Sequence, residues 1–434
     1  MNSSGQAVDG AAKTCLAFIQ KLFGGFRPRN FQIKFWDGSC WESEPGQTVR
    51  FTLTFAYPGA VREMFLRPST LSLGEAFVKG AFDIEGDFEA ACAMADYLFS
   101  LKPSLLDRFH LLKYFLLLPK SGSSAGHLGG AVLGGSTKSR ARLKRAINYH
   151  YDLPLAFWQP WLDRQLVYSC AFFTSHDQSL DTAQEQKLEY ICRKLDLRTG
   201  ERFFDLGCGW GALILHAARR YGVNALGVTL SPRQAGYVEE RIQAAGLQSR
   251  CRAEVCDYRD INDPGAFDKI ASIGSIEHVR EGRLTEYFQT IWKLLRPGGR
   301  FLIQGITHCP AFPRPRKPSF FDLYVFPDGH LAPLGPTLQQ AEAVGFEVRD
   351  VESLREHYAL TLRHWRRRLN AERPVLEQVA GPETFRIFTL YLAAAAHEFD
   401  TGRNNLRQVL FVKPHSGRAE LPFTRFGWYL NGDR

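Results

Sequence analysis

The run RFFDLGCGWGALILHAARRYGVNALGVTLS, residues 202–231, constrains the fold more tightly than any other part of the chain. Its apolar start reads as a buried strand, its centre as a tight turn into a helix, and its end as a second strand. The first strand closes on Asp205, after which Gly207, Gly209 and Gly211 alternate through the turn. Glycines there remove Cβ atoms that would block a ligand and leave backbone N–H groups exposed near a helix N-terminus. A GxGxG run alone is also compatible with an ordinary strand-to-helix connection. The second strand at βαβ distance and the acid before the glycines favour a nucleotide-cofactor loop in an α/β fold. Dehydrogenase loops differ, carrying GxGxxG and an acid at the end of the second strand for the ribose hydroxyls. This chain instead offers Thr229, Leu230, Ser231 and Gln234 at that place.

At 434 residues the chain exceeds one typical core, so two domains are expected. Residues 30–56 alternate apolar and polar, with Asp37-Gly38 as a hairpin turn, and predict a small α+β domain over 1–118. The Gly/Ser-rich stretch at 119–140 reads as a flexible linker, and 141–434 as the catalytic domain. The segment 105–119 is the most apolar, but Asp107, Arg108, His110 and Lys113 interrupt it, which predicts an amphipathic or buried helix rather than a membrane span. The opening residues lack a secretion pattern. The nine scattered cysteines form no CxxC pair and predict a reduced, cytoplasmic setting.

The formal charge of +9 is concentrated in KSRARLKR (138–145) and RHWRRR (363–368). Basic runs of this kind also suit nucleic acid, but no nucleic-acid-binding module accompanies them, so no nucleic-acid partner is expected. An anionic membrane surface is the expected one, each basic residue near it contributing about 1 kcal/mol.

Further motifs sharpen the assignment. With YSCAFF (168–173), DYRD (257–260) and IGSIEHV (273–279), the chain resembles the cyclopropane-fatty-acyl-phospholipid synthases and related mycolic acid methyltransferases, from about residue 30 to about residue 414. SLGEAFVKGAFDIEG (72–86) resembles the end of their lipid-binding N-terminal domain, and HYALTLRHW (357–365) their C-terminal part. The resemblance implies a class I methyltransferase fold, Rossmann-like with a seven-stranded sheet, and S-adenosylmethionine (SAM) as cofactor. It places Tyr168 and Ser169 over the methionine part of SAM, with Asp205, Gly207 and Gly209 beside it. Thr229, Leu230 and Gln234 would line the ribose, Asp257 and Tyr258 the adenine, and Gly274 would pass beneath the cofactor.

The implied reaction adds a methylene bridge across the cis double bond of an unsaturated phospholipid acyl chain, which requires alignment and exclusion of water. Aromatic faces stabilise cationic character by about 0.5 to 2 kcal/mol each, and Phe172, Phe173, Tyr324, Phe326, Tyr358 and Trp365 are candidates. In the family a bound bicarbonate takes the proton lost on ring closure. Cys170, Glu277 and Tyr358 match its binding residues, but Gln304 stands where the family usually has His and Ala395 where it often has Cys. Gln cannot be charged, so anion affinity and basicity should differ. His308 and His397 are near in sequence and are considered as substitutes. Three alternatives follow: a methyl-branched or methylene acyl product, a small-molecule methyltransferase, or a non-catalytic lipid-binding protein that retains the fold, against which the intact glycine loop and Glu277 argue. The resemblance also implies a peripheral protein at the inner face of the membrane, and homodimers occur in the family, although the sequence identifies no interface.

The basic segment generates a test. Neutralising Arg140, Arg142, Lys144 and Arg145 together is expected to weaken binding to anionic vesicles in a sedimentation assay; unchanged binding would remove this segment from the docking surface.

Overall fold

The structure, a computed structural model, describes residues 9–66, 68–102, 104–119, 129–131, 133–136, 139–312 and 317–429. Most of the expected linker, including 120–128, lies outside the described residues, as does Lys138 of the basic segment. The chain divides into two compact units. One comprises Met1–Val132, Pro315–Val325 and Gly381–His397; the other comprises Leu133–Arg314, Phe326–Ala380 and Glu398–Arg434.

The first unit is α+β. Its sheet follows the order β2-β1-β3-β4, with β1 Phe31–Lys34, β2 Cys40–Trp41, β3 Phe51–Phe55 and β4 Phe82–Gly86. The alternation read in the sequence is realised here: Phe31 and Ile33 of β1 and Phe51, Leu53 and Phe55 of β3 are buried. Phe31 stacks on Phe51 with ring centroids 5.5 Å apart. Gly38 takes φ +85° between β1 and its antiparallel partner β2, a backbone conformation suited to glycine. Residues remote in sequence complete this unit. A Cβ on Gly74 would lie 2.3 Å from the Phe320 ring, so the glycine lets the helix Phe320–Tyr324 pack closely. Tyr324 donates to Glu75 Oε1 at 2.7 Å, and the Arg386 guanidinium donates to the carbonyls of Phe77 and Phe82.

The second unit carries the expected seven-stranded sheet, in the order β10-β11-β9-β8-β5-β6-β7. Its strands are β5 Arg202–Leu206, β6 Asn224–Thr229, β7 Cys251–Val255, β8 Phe267–Ile273, β9 Leu295–His308, β10 Glu347–Ser353 and β11 Asn404–Val412. The five strands β5 to β9 run parallel, and β11 is antiparallel to both β9 and β10. Strands buried on both faces read as near-continuous apolar runs, which is why RFFDL and NALGVT lack alternation. On one face, Phe203 and Ala225 pack against Ile191 and Leu195 of the helix Leu180–Leu195 and Ile214 of the helix Ala212–Tyr221. On the other, Phe204, Phe301 and Phe411 pack with Phe288 of the helix Leu284–Leu294.

Phe411 is fully buried on β11, its ring 5.7 Å from Phe301 and 5.6 Å from Phe288. Phe411→Ala should therefore destabilise this unit by about 3–5 kcal/mol in urea unfolding. A loss below about 1 kcal/mol would mean that the antiparallel end does not share the sheet's core.

Candidate functional site

Strand order reverses beside β5: β6 and β7 lie to one side, β8 and β9 to the other. In open α/β sheets a ligand crevice forms outside the carboxyl ends of strands at such a point. A cavity of about 220 Å³ occupies this place. It is bordered by Asp205–Gly209 after β5, Thr229 and Leu230 at the end of β6, Asp257 and Tyr258 after β7, and Gly274 after β8. Gln234, Tyr168 and Ser169 also line it, so every residue expected to bind the cofactor faces one cavity.

Local geometry explains the glycines. Gly207, Gly209 and Gly274 have φ of +93°, +52° and +68°. A Cβ on Gly207 would fall 2.1 Å from Ser275 Oγ, whose hydroxyl donates to the Leu206 carbonyl at 2.9 Å. At Gly209 and Gly274 a Cβ would meet only open space. At the end of β6, Thr229 donates to Gln234 Oε1 at 2.7 Å, while Ser231 Oγ accepts from the Gln234 N–H and caps the helix Pro232–Ala244. Arg259 donates to Asp257 Oδ1 at 2.8 Å, holding that carboxylate below its ordinary pKa despite burial. Tyr258 meets Tyr287 edge-on at 5.9 Å.

Tyr168 sits in an aromatic enclosure, with ring centroids 4.8 Å from Trp158, 5.6 Å from Trp161 and 5.1 Å from Trp365. Its hydroxyl is 3.1 Å from His150 Nε2. Asp205, before the glycine loop, has a buried cationic neighbour, Lys187, that the sequence pattern did not single out. Asp205 is 2 % exposed, its Oδ1 has no hydrogen-bond partner, and burial pushes its carboxyl up to about 7, partly offset by Lys187. Lys187 is also 2 % exposed, donates to Ser169 Oγ at 2.9 Å, and is pushed down to about 8 by burial. The available signal was a lysine in phase with Ala183, Leu188 and Ile191 on a helix face otherwise buried.

The residues matched to the anion site occupy a neighbouring region and do not line the cavity. The Cys170 thiol faces the carbonyls of Ala171 and Leu354, and burial raises its pKa well above the ordinary range. Gln304 donates from Nε2 to the Cys170 carbonyl at 3.3 Å and accepts at Oε1 from Gln408 at 2.8 Å. Gln304 and Gln408 are directly paired across β9 and β11, and Gln408 was another residue missed. Glu277 accepts the Ile306 N–H at Oε1, 2.8 Å away. Its Oε2 is withdrawn from solvent without a partner, and desolvation pushes the carboxyl up to about 7. Tyr358 packs against Phe399 at 4.6 Å and Trp365 at 6.1 Å.

Other candidates have different settings. His308 lies by Asn404 and the Phe312 carbonyl, and His397 pairs with Asp96 in the first unit, so neither substitutes for the missing His. Phe172 stacks on Tyr190 and His357, Phe173 lies against His364, and Phe326 lies 4.3 Å from His150. Tyr324 and Ala395 belong to the first unit. In the basic segment, Arg140 pairs with Asp260 and Arg142 with Asp328.

The sheet order, the glycine loop and the cavity define a class I SAM-methyltransferase fold. The buried partnerless carboxylate oxygen and the open space above Gly209 and Gly274 suit a cofactor with a cationic part that lies close to backbone. The family model described as mycolic acid cyclopropane synthetase matches residues 138–409, and a domain of unknown function matches residues 18–98. A probable fatty acid methyltransferase of Pseudomonas putida is 37% identical over 402 residues, covering 92% of this chain and 96% of the relative. The cyclopropane-fatty-acyl-phospholipid synthase of Escherichia coli K12 is 32% identical over 354 residues, covering 80% of this chain and 84% of the relative. A cyclopropane synthase structure from Mycobacterium tuberculosis aligns with TM-score 0.59 at 30% identity, over 62% of this chain and 97% of that one. A mycolic acid cyclopropane synthase solved with SAH and CTAB aligns with TM-score 0.58 at 30% identity, over 62% and 97% respectively. The chain belongs to the mycolic acid cyclopropane synthetase family, and it is a SAM-dependent methyltransferase.

The raised Glu277 carboxyl predicts a pH effect. Its folded-state pKa lies above the ordinary 4.5, so between 4.5 and about 7 the unfolded chain loses the proton first and stability falls as pH rises. Relative to wild type, Glu277→Gln should gain stability as pH is raised from about 5 to about 8, read by urea unfolding. Parallel curves would show that the carboxyl titrates alike in both states.

Proposed function

We propose that this enzyme adds a methylene bridge across the cis double bond of unsaturated phospholipid acyl chains, forming cyclopropane fatty acids. What supports this most is the combination of the glycine-loop cavity with the Cys170–Glu277–Tyr358 set beside it, in a chain whose E. coli relative is named a cyclopropane-fatty-acyl-phospholipid synthase. SAM bound in the cavity would supply an electrophilic methyl group. Tyr168 and Ser169 would bind its methionine part, Thr229, Leu230 and Gln234 the ribose, and Asp257 and Tyr258 the adenine. Tyr168 lines the cavity and is backed by Trp158, Trp161 and Trp365, an apolar wall that would exclude water on that side.

Ring closure leaves one proton to be removed from the added carbon. Bicarbonate, the base implied by the resemblance, would be held by Cys170, Glu277 and Tyr358. A buried Glu277 Oε2 without a partner suits an anion that can share a proton with it. Gln304 would contribute only the amide hydrogen not given to Cys170, since its Oε1 already accepts from Gln408. That engaged amide favours a second reading, in which the cation loses a proton of the acyl chain and leaves a methyl-branched double bond, or, after a hydride shift, loses a proton of the added carbon and leaves a methylene group.

We further propose that the enzyme works docked on an anionic membrane, at its inner face. Among the described residues no helix is long and apolar enough to cross a membrane. Phe109, Leu112 and Leu116 of the helix Leu105–Leu117 are exposed at helical spacing, an apolar stripe that suits insertion between lipid headgroups.

Incubation with deuteromethyl SAM and vesicles of cis-unsaturated phospholipid, followed by mass spectrometry and acyl fragmentation, tests the reaction. A ring product that has lost one methyl deuteron is expected. An acyl chain carrying an intact deuteromethyl branch, or a methylene group, would replace the first reading with the second, and unlabelled lipid would contradict both.

A further inference from the structure

The helix Leu180–Leu195 grips the segment that borders the cavity at two points. Gln184 Nε2 donates to the carbonyls of Val167 at 3.3 Å and Ser169 at 2.9 Å, which fixes the backbone. One turn further on, Lys187 Nζ donates to Ser169 Oγ at 2.9 Å, which fixes the hydroxyl. A serine hydroxyl has one proton to donate and lone pairs to accept. With an ammonium on the accepting side, Ser169 acts as a donor, and among the described residues no protein acceptor takes its proton. Ser169 and Lys187 both line the cavity.

The surroundings of Lys187 fit this arrangement. Its ammonium is nearly solvent-free and faces Asp163 from the loop after the helix Leu155–Trp158, Asp205 from the end of β5, and the Cys170 thiol. The Asp163 carboxylate is occupied by the Val167 and Gln165 N–H groups, at 2.7 and 2.9 Å. Asp205 Oδ1 has no hydrogen-bond partner, so an anionic ligand group near it would be repelled unless a cation intervened. Lys187 supplies that cation on the floor of the site.

We propose that Lys187 is a positioning residue for the cofactor, orienting Ser169 to donate to the carboxylate of its methionine part and offsetting the charge of Asp205. This rests on the assignment of the cavity to SAM. A purely structural lysine would affect all ligands of the cavity equally, whereas this one distinguishes ligands by their carboxylate.

Titration calorimetry of the full chain with SAH and with decarboxylated SAH separates the two. Lys187→Met and Ser169→Ala should each weaken SAH about 10- to 100-fold, the range of a lost charge-assisted hydrogen bond, and change the decarboxylated ligand by less than about threefold. The double variant should bind SAH within about threefold of Lys187→Met alone, because the serine contributes only when the lysine orients it. Equal losses for both ligands, or losses that multiply in the double variant, would overturn the proposal. Should Lys187→Met not fold, Ser169→Ala still decides: unchanged preference for the carboxylate would overturn it. Wild-type protein that binds neither ligand would contradict the cofactor assignment itself.

Discussion

The reversal of strand order beside β5 is the constraint on which the site depends. A sheet wound one way toward β7 and the other way toward β9 leaves a crevice at the carboxyl end of β5, and the chain places Asp205 and the glycine loop there. Because β5 is paired on both sides, its end cannot shift without disturbing β6 and β8. The backbone of the loop is held by the same sheet, since the Gly207 and Cys208 N–H groups both donate to the Val228 carbonyl of β6. Rigid placement of this kind lets loop atoms act as ligand contacts with little reorganisation.

Burial then supplies the electrostatics. Asp205, Lys187 and Glu277 are each displaced toward neutrality by desolvation, and each stands within or beside the cavity region rather than in the sheet's apolar core. Charged groups in such positions are costly unless they are paired or are completed by a ligand. Lys187 is paired with Ser169, whereas Asp205 Oδ1 and Glu277 Oε2 are buried without a hydrogen-bond partner. Asp205 and Lys187, two perturbed groups, line the same crevice, which is the pattern of a functional site.

Much of this was legible in the sequence because it depends on local spacing. The glycine loop, the two strands around it and the hairpin at Asp37-Gly38 follow from residue type within short windows, and all of the expected cofactor residues face one cavity. What escaped depends on contacts between distant segments. Gln408 pairs with Gln304 only through the register of β11 on β9, about a hundred residues apart, so the buried amide pair had no local signature. The role of Lys187 depends on its helix packing against the YSC segment, a contact that spacing along the helix alone does not report. The membership of 315–325 and 381–397 in the first unit likewise follows from packing, Gly74 admitting Phe320 and Arg386 capping the carbonyls of Phe77 and Phe82. Gly381, with φ +83° and Pro382 after it, breaks the long helix Arg373–Asp400 where the second of these segments begins.

Backbone hydrogen exchange with and without SAH tests the central claim most directly, because it reads the cavity's own amides rather than product formation. Added SAH should slow exchange at 205–211, 229–234, 256–259 and 273–275 together, the segments that leave the carboxyl ends of β5, β6, β7 and β8. Protection confined to other segments, or none with SAH in excess, would contradict the assignment of this crevice as the cofactor site.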